Sequence, residues 1–167
     1  MAGSGLGGKY ALIGMAESDV GIVPDKSPRE LCVQVTLDSI RDAGLTLADV
    51  DGLITCNAFA EPIMYHAEAV AEYIGWQPRH CVTVNTGGGT TFMALNMAAA
   101  AIEAGMADTI VVAMADSLRS FMTREQAMVV QSSSGHPHYE QPYGPTVPAY
   151  YAPVSYTHLR AHETSEN

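Results

Sequence analysis

From residue 90 to residue 102 the chain carries no charged side chain, and a glycine at 105 then leads into an apolar run over residues 109–114. A helix without a charged face is buried nearly all round, and an apolar strand without alternation is covered on both faces. The two together demand a layered α/β arrangement, because a parallel sheet needs helices on both sides. At 167 residues and 47% hydrophobic content the chain has enough apolar surface for one modest core.

The remaining pattern fits this frame. Residues 10–15 read as a short buried strand. Ser27, Pro28 and Glu30 form a capping box that opens a helix over 28–43, closed by Gly44. The Asp51-Gly52 turn leads into a strand at 53–56. Pro62 opens a helix over 62–74, in which Met64, Ala67, Val70, Ala71 and Ile74 recur at helical spacing and Gly75 ends the run. Strands at 81–85 and 109–114 and a helix over 90–104 complete four strand-helix alternations. The expected organisation is a flexible glycine leader at 1–8, an α/β domain at 9–114, a loop or excursion at 115–153, and a tail at 154–167. Residues 131–148 are rich in Ser, Gly, Pro and His and predict neither a strand nor a stable helix.

Charge and cysteine usage narrow the function. A net charge of -10 opposes binding to nucleic acid or anionic membrane, since eight Lys and Arg neutralise few phosphates. Cys32, Cys56 and Cys81 are an odd set without CxxC spacing, which fits neither a disulfide framework nor a zinc site and reads as small buried hydrophobes in a reducing compartment. The first eight residues lack the basic and apolar regions of a signal peptide, and the longest apolar-rich stretch is too short for a membrane span. A cytoplasmic protein is expected.

Three motifs invite other readings. Gly3, Gly5 and Gly8 match the spacing of a dinucleotide loop, but they precede a strand instead of opening a helix, so no helix terminus would meet a phosphate. His136 and His138 lack further ligands at metal-site spacing. Asp49 and Asp51 flank a turn, where Asp serves the backbone. No metal or bound cofactor is implied.

Val84, Asn85, Thr86, Gly87, Gly88, Gly89, Thr90 and Thr91, the alanine-rich helix, and Ala104-Gly105-x-Ala107-Asp108 before an apolar strand resemble the nucleophile segment of thiolases. The ordered set upstream (residues 10–17, the Ser27 helix, Ala43-Gly44-Leu45 and Val50-Asp51-Gly52-Leu53), with Tyr143-Gly144 and Pro148-Ala149-Tyr150-Tyr151 downstream, resembles the sterol-carrier and lipid-transfer subgroup of the thiolase superfamily. The likeness covers residues 9–152, the N-terminal half of such a protein. Residues 154–164, VSYTHLRAHET, resemble a translated sequencing-library adapter and are set apart as a non-native tail.

The resemblance implies a thiolase-like layered fold with a mixed, mostly parallel sheet, and a homodimer of the full-length parent formed through the strand at 81–85. It implies an acyl-CoA enzyme of the acyltransferase family, of the acetyl-CoA acetyltransferase kind, working in lipid metabolism on a carbon-carbon bond beta to a thioester. In the catalytic members a cysteine stands where this chain has Gly88. Covalent catalysis through that position is therefore lost, and the fragment is expected to be inactive. An aldolase-type chemistry, often beside a small OB-fold partner, fits the vacancy better, and a non-catalytic acyl-CoA or lipid-binding protein is the alternative. The expected substrate-binding residues are Asn85, Gly87, Gly88, Gly89 and Thr90, because backbone amides at a helix N-terminus suit a thioester carbonyl.

Overall fold

The structure, a computed structural model, describes residues 8–133, 135–144 and 146–152. The chain divides into two compact units with the boundary between Phe121 and Met122. The first is an α/β layered unit. Its elements in chain order are α1 (Pro28–Asp42), a 3-10 turn (Leu47–Asp49), β1 (Gly52–Thr55), α2 (His66–Ile74), β2 (His80–Thr83), α3 (Thr90–Glu103), β3 (Ile110–Ala113) and α4 (Leu118–Phe121).

The three described strands are all parallel, in the order β2-β1-β3. Gly52 pairs with His80 on one side and Ile110 on the other, so β1 is the central strand. Successive residues of a strand face opposite ways. Leu53 therefore enters one core with Cys32 and Val35 of α1 and Ala67, Val70 and Ala71 of α2, while Ile54 enters a second core with Val84 and with Ala94 and Ala98 of α3. Both Leu53 and Ile54 are fully buried. The result is a sheet with α1 and α2 on one face and α3 on the other.

Local chemistry sets the helix starts. Ser27 Oγ accepts the Glu30 amide at 3.2 Å and the Glu30 carboxylate accepts the Ser27 amide at 2.8 Å, as the capping-box sequence predicts. At the amino ends of the strands, the Asp51 carboxylate accepts the amides of Asp108 and Thr109, each at 2.9 Å, and pairs with Arg79 at 2.8 Å. Burial pulls this carboxyl up, but the Thr109 and Asp108 amides and Arg79 outweigh it and leave it below its ordinary value. Asp51 thus joins the approaches to β1, β2 and β3, and Asp49 caps Thr46. Both carboxylates serve the backbone.

Four expectations need correction. Helix α3 is not buried nearly all round: Thr90, Ala94, Ala98 and Ala101 form its buried stripe, while Phe92 and Met93 are exposed, because the sheet covers one face of it. The predicted strand at 10–15 is not a strand; the segment has no ladder partner among the described residues, and Leu12, Ile13 and Met15 are exposed. The helix expected from Pro62 begins at His66 instead. The chain before it is held in an open loop, because Asp116 accepts the Phe59 amide at 2.6 Å and Glu61 accepts the Arg29 amide at 3.1 Å. The stretch after residue 115 is more ordered than its composition implies. It holds α4 and, in the second unit, α5 (Arg124–Ser132) and a 3-10 turn (Gln141–Tyr143). A reciprocal cap explains α5: Thr123 Oγ1 accepts the Gln126 amide at 3.2 Å, and the Gln126 side chain accepts the Thr123 amide at 2.9 Å. The predicted tail at 154–167, and all of the leader except Gly8, lie outside the described residues.

Candidate functional site

The carboxyl ends of β1, β2 and β3 lead into Cys56-Asn57, the glycine turn at 84–89, and Met114–Asp116 respectively. Helices α2 and α3, which follow the adjacent strands β1 and β2, depart to opposite faces. Crevices outside the carboxyl ends of parallel strands, where successive connections diverge in this way, are the usual ligand sites of α/β sheets.

The glycine turn is held by its neighbours. Thr90 Oγ1 donates to the Gly87 carbonyl at 2.6 Å and accepts the Thr86 amide at 2.9 Å, while Gly87 N donates to Asn85 Oδ1 at 3.3 Å. Gly87 has φ +66, a conformation that a side chain would strain. Asn85, Gly87, Gly88 and Gly89 are exposed at the head of α3, and Thr90 is buried beneath them. The Thr90 hydroxyl is thereby committed to the turn. A Cβ built on Gly88 would meet nothing within 4 Å, so the position is glycine without any steric requirement for it.

Beside the turn, Cys56, Asn57, Phe59, Met114, Ala115 and Asp116 line a crevice of about 230 Å³. Cys56 reaches the Thr90 side chain, and Thr91 Oγ1 lies 3.5 Å from Met114 Sδ, so the head of α3 and the crevice adjoin. Burial pushes the Cys56 thiol up, as it pushes Cys32 up to about 12 and Cys81 to about 11. Thiols in such surroundings stay protonated at neutral pH and are poor nucleophiles. Behind the crevice, fully buried His66 places Nδ1 3.0 Å from Thr55 Oγ1, and burial holds its pKa below the ordinary value, leaving the ring neutral. Among the described residues, Asn57 Oδ1, His66 Nε2 and Ser117 Oγ are buried without a hydrogen-bond partner. Such polar atoms are costly unless something reaches them.

The sequence motif locates the glycine turn but misses Asn57 and Asp116. Their signal was position alone, since each follows directly on a strand that ends at the carboxyl edge of the sheet. Asp116 also accepts the Phe59, Ala60 and Ser117 amides and so ties the loops after β1 and β3 together. Among the described residues no group of His, Cys, Asp and Glu is arranged to hold a metal ion, and no helix is long and apolar enough to cross a membrane.

No protein-family model matches the chain. It is 31% identical over 119 residues to a 17-hydroxy-3-oxo-4-pregnene-20-carboxyl-CoA lyase of Mycobacterium tuberculosis, a match covering 70% of this chain and 30% of that protein. It is 23% identical over 158 residues to an acetyl-CoA acetyltransferase of Methanothermobacter thermautotrophicus, covering 93% of this chain and 40% of that one. Among solved structures, an Ltp2-ChsH2(DUF35) aldolase superposes with a TM-score of 0.66 at 24% identity, over 90% of this chain and 37% of that chain. A 3-oxoacyl-(acyl-carrier-protein) synthase III from Aquifex aeolicus VF5 gives 0.51 at 16% identity, over 67% and 38%. The relatives are thiolase-family proteins, and this chain is thiolase-like in sequence and fold. It spans 30% and 40% of the lengths of the two curated relatives.

Proposed function

We propose that the chain is part of an acyl-CoA enzyme that makes or breaks a carbon-carbon bond beta to a thioester, and that the glycine turn holds the thioester carbonyl. The observation that carries this reading is the open space at Gly88, where the family's nucleophile would stand, at an exposed helix N-terminus beside the Asn57-Asp116 crevice. A helix terminus stabilises negative charge developing on an oxygen without needing a covalent bond. That favours an aldolase-type step. The beta-hydroxyl of a substrate loses its proton and becomes a carbonyl as the bond between the alpha and beta carbons breaks. The electron pair passes into a thioester enolate whose oxygen faces the turn, and the alpha carbon is then protonated. The relative named as a CoA lyase supports this direction.

The groups that move the protons are assigned to the part of the parent that this sequence does not span. The 167-residue chain alone is accordingly expected to show no turnover. The parent is read as a cytoplasmic homodimer joined through β2, an edge of the described sheet, with a small OB-fold protein as a further partner. The test is to incubate the full-length protein with a beta-hydroxyacyl-CoA and follow release of the shorter acyl-CoA and the carbonyl product. Release that Gly88→Val abolishes supports the reading. Binding without release would instead make the parent a non-catalytic acyl-CoA or lipid-binding protein.

A further inference from the structure

The crevice beside the glycine turn is built from two loops and ends close to a third element. The loop after β3 lines it with Met114, Ala115 and Asp116, and the loop after β1 adds Asn57 and Phe59. The head of α3 meets it at Met114, whose Sδ lies 3.5 Å from Thr91 Oγ1. Just past Asp116 the chain turns into α4, which is pinned where Ser120 Oγ accepts the Val23 amide at 2.8 Å. At about 230 Å³ the crevice is smaller than the roughly 300–1,000 Å³ of sites that enclose drug-sized ligands, so it suits a narrow linear chain better than a fused ring system.

The basic side chains of the first unit are almost all committed elsewhere. Lys9 pairs with Glu103 at the end of α3, Arg41 in the last turn of α1 pairs with Asp38, and Arg79 pairs with Asp51. These three sit where helices lead into the amino ends of the strands, away from the glycine turn. Lys26 and Arg29, at the start of α1, are engaged by Asp19 and Glu61, and Arg29 also lies over the Tyr73 ring at 5.0 Å. Arg119 on α4 is exposed and, among the described residues, has no acidic partner.

We infer that the crevice carries the pantetheine arm of a CoA thioester and that Arg119 binds its phosphates, an assignment that rests on the acyl-CoA reading above. A chain of net charge -10 repels a polyanion at long range, so a bound CoA needs a local cation, and Arg119 is the one in this unit not already neutralised. The arginine fork matches two oxygens of one phosphate. The reach agrees. Arg119 lies three residues beyond Asp116, a span of at most about 11 Å, which is shorter than the extended pantetheine arm. The thioester can therefore stay at the turn while the phosphates meet α4. The methylenes and methyl groups of the arm fit Phe59, Met114 and Ala115, and its amides find a partner of their own kind in Asn57. A fatty acyl tail in the same place would lay alkyl groups against the Asn57 amide and the Asp116 carboxylate, and would gain nothing from Arg119.

Calorimetric titration of the full-length protein with acetyl-CoA and with acetyl-pantetheine tests the assignment. The two share the thioester and the arm, only the first has phosphates, and neither has a beta-hydroxyl to react. Arg119→Ala is expected to raise the Kd for acetyl-CoA by about 10- to 100-fold, the worth of a charge-assisted fork, and to leave that for acetyl-pantetheine unchanged. Arg119→Lys should recover part of the loss, and added salt should narrow the gap to wild type. Phe59→Ala, at a side chain already 44% exposed, should weaken both thioesters by the same factor of roughly 10. Equal acetyl-CoA affinity in Arg119→Ala and wild type would overturn the phosphate assignment and leave the acyl-CoA reading standing. Equal loss of both thioesters in Arg119→Ala would overturn it too, by making the side chain structural, and unchanged binding in Phe59→Ala would remove the arm from the crevice. A wild type that binds neither thioester would overturn the reading and the assignment together.

Discussion

At the amino ends of the strands, Gly52 lies so close to β3 that an added Cβ would stand 2.6 Å from Ile110 Cγ1, and the Asp51 carboxylate draws two amides and a guanidinium onto one point. At the carboxyl ends, Gly88 faces open space and the turn around it is exposed. Both ends use glycine and both use an aspartate to gather amides, yet one is closed by packing and the other leaves room. The difference separates what the fold requires from what a ligand could use. A glycine that a side chain would crush belongs to the fold, and a glycine that a side chain would merely occupy is available to chemistry.

The comparison breaks most readily through its glycines. Gly52→Val should destabilise the chain by about 3 kcal/mol, the upper end of overpacking costs, because Ile110 and the β1-β3 register leave no room. Gly88→Ala should change stability by less than about 0.5 kcal/mol, as surface changes without new contacts usually do. Urea unfolding of the two variants checks the pair, and equal losses would erase the distinction between the two ends.

A smaller effect is expected at Asp51. Asp51→Asn keeps an acceptor for the Asp108 or Thr109 amide but removes the charge that strengthens both bonds and pairs with Arg79, for a loss of about 2 kcal/mol. Because the native carboxyl lies below its ordinary value, its contribution is present above the unfolded pKa and fades as pH falls through the folded one. The gap between wild type and variant should therefore close in acid. A gap that persists at low pH would show that shape, not charge, matters there.

Among the hydrogen-bond deletions, the smaller loss belongs to the open end. Thr90→Val removes the bonds to the Gly87 carbonyl and the Thr86 amide at a partly solvated turn and should cost about 1 kcal/mol. Its larger consequence should be looser geometry at residues 86–89, visible as faster amide exchange there with β1 unchanged.

The same contrast explains what could be read from sequence. Helix α1 was legible because its cap is a contract between Ser27 and Glu30, three residues apart, whereas the absence of charge in α3 located the helix but misstated its burial, since Phe92 is 74% exposed. The cap of α5, with Thr123 and Gln126 at the same spacing, was equally present, but the Ser-, Gly- and Pro-rich stretch beyond it masks the signal. Residues 10–15 mislead because their apolar pattern specifies a strand while pairing is non-local, and the structure offers no adjacent edge. The glycine turn was found by its motif. Its lock through Thr90, and the part that Asn57 and Asp116 play in the crevice, depend on loops brought together from different strands, which no local spacing encodes.

The central claim, that Gly88 marks an emptied nucleophile position in a niche still shaped for a thioester carbonyl, is tested most directly by mass spectrometry of the full-length protein after incubation with an acyl-CoA, as wild type and as Gly88→Cys. A thiol placed at the head of α3 would stand at a helix N-terminus, which lowers its pKa and favours attack on a bound thioester. The account predicts no acyl adduct on the wild type and a single adduct at position 88 on the variant. Stable acylation of the wild type at another residue, or a variant that binds acyl-CoA yet never forms the adduct, would contradict it.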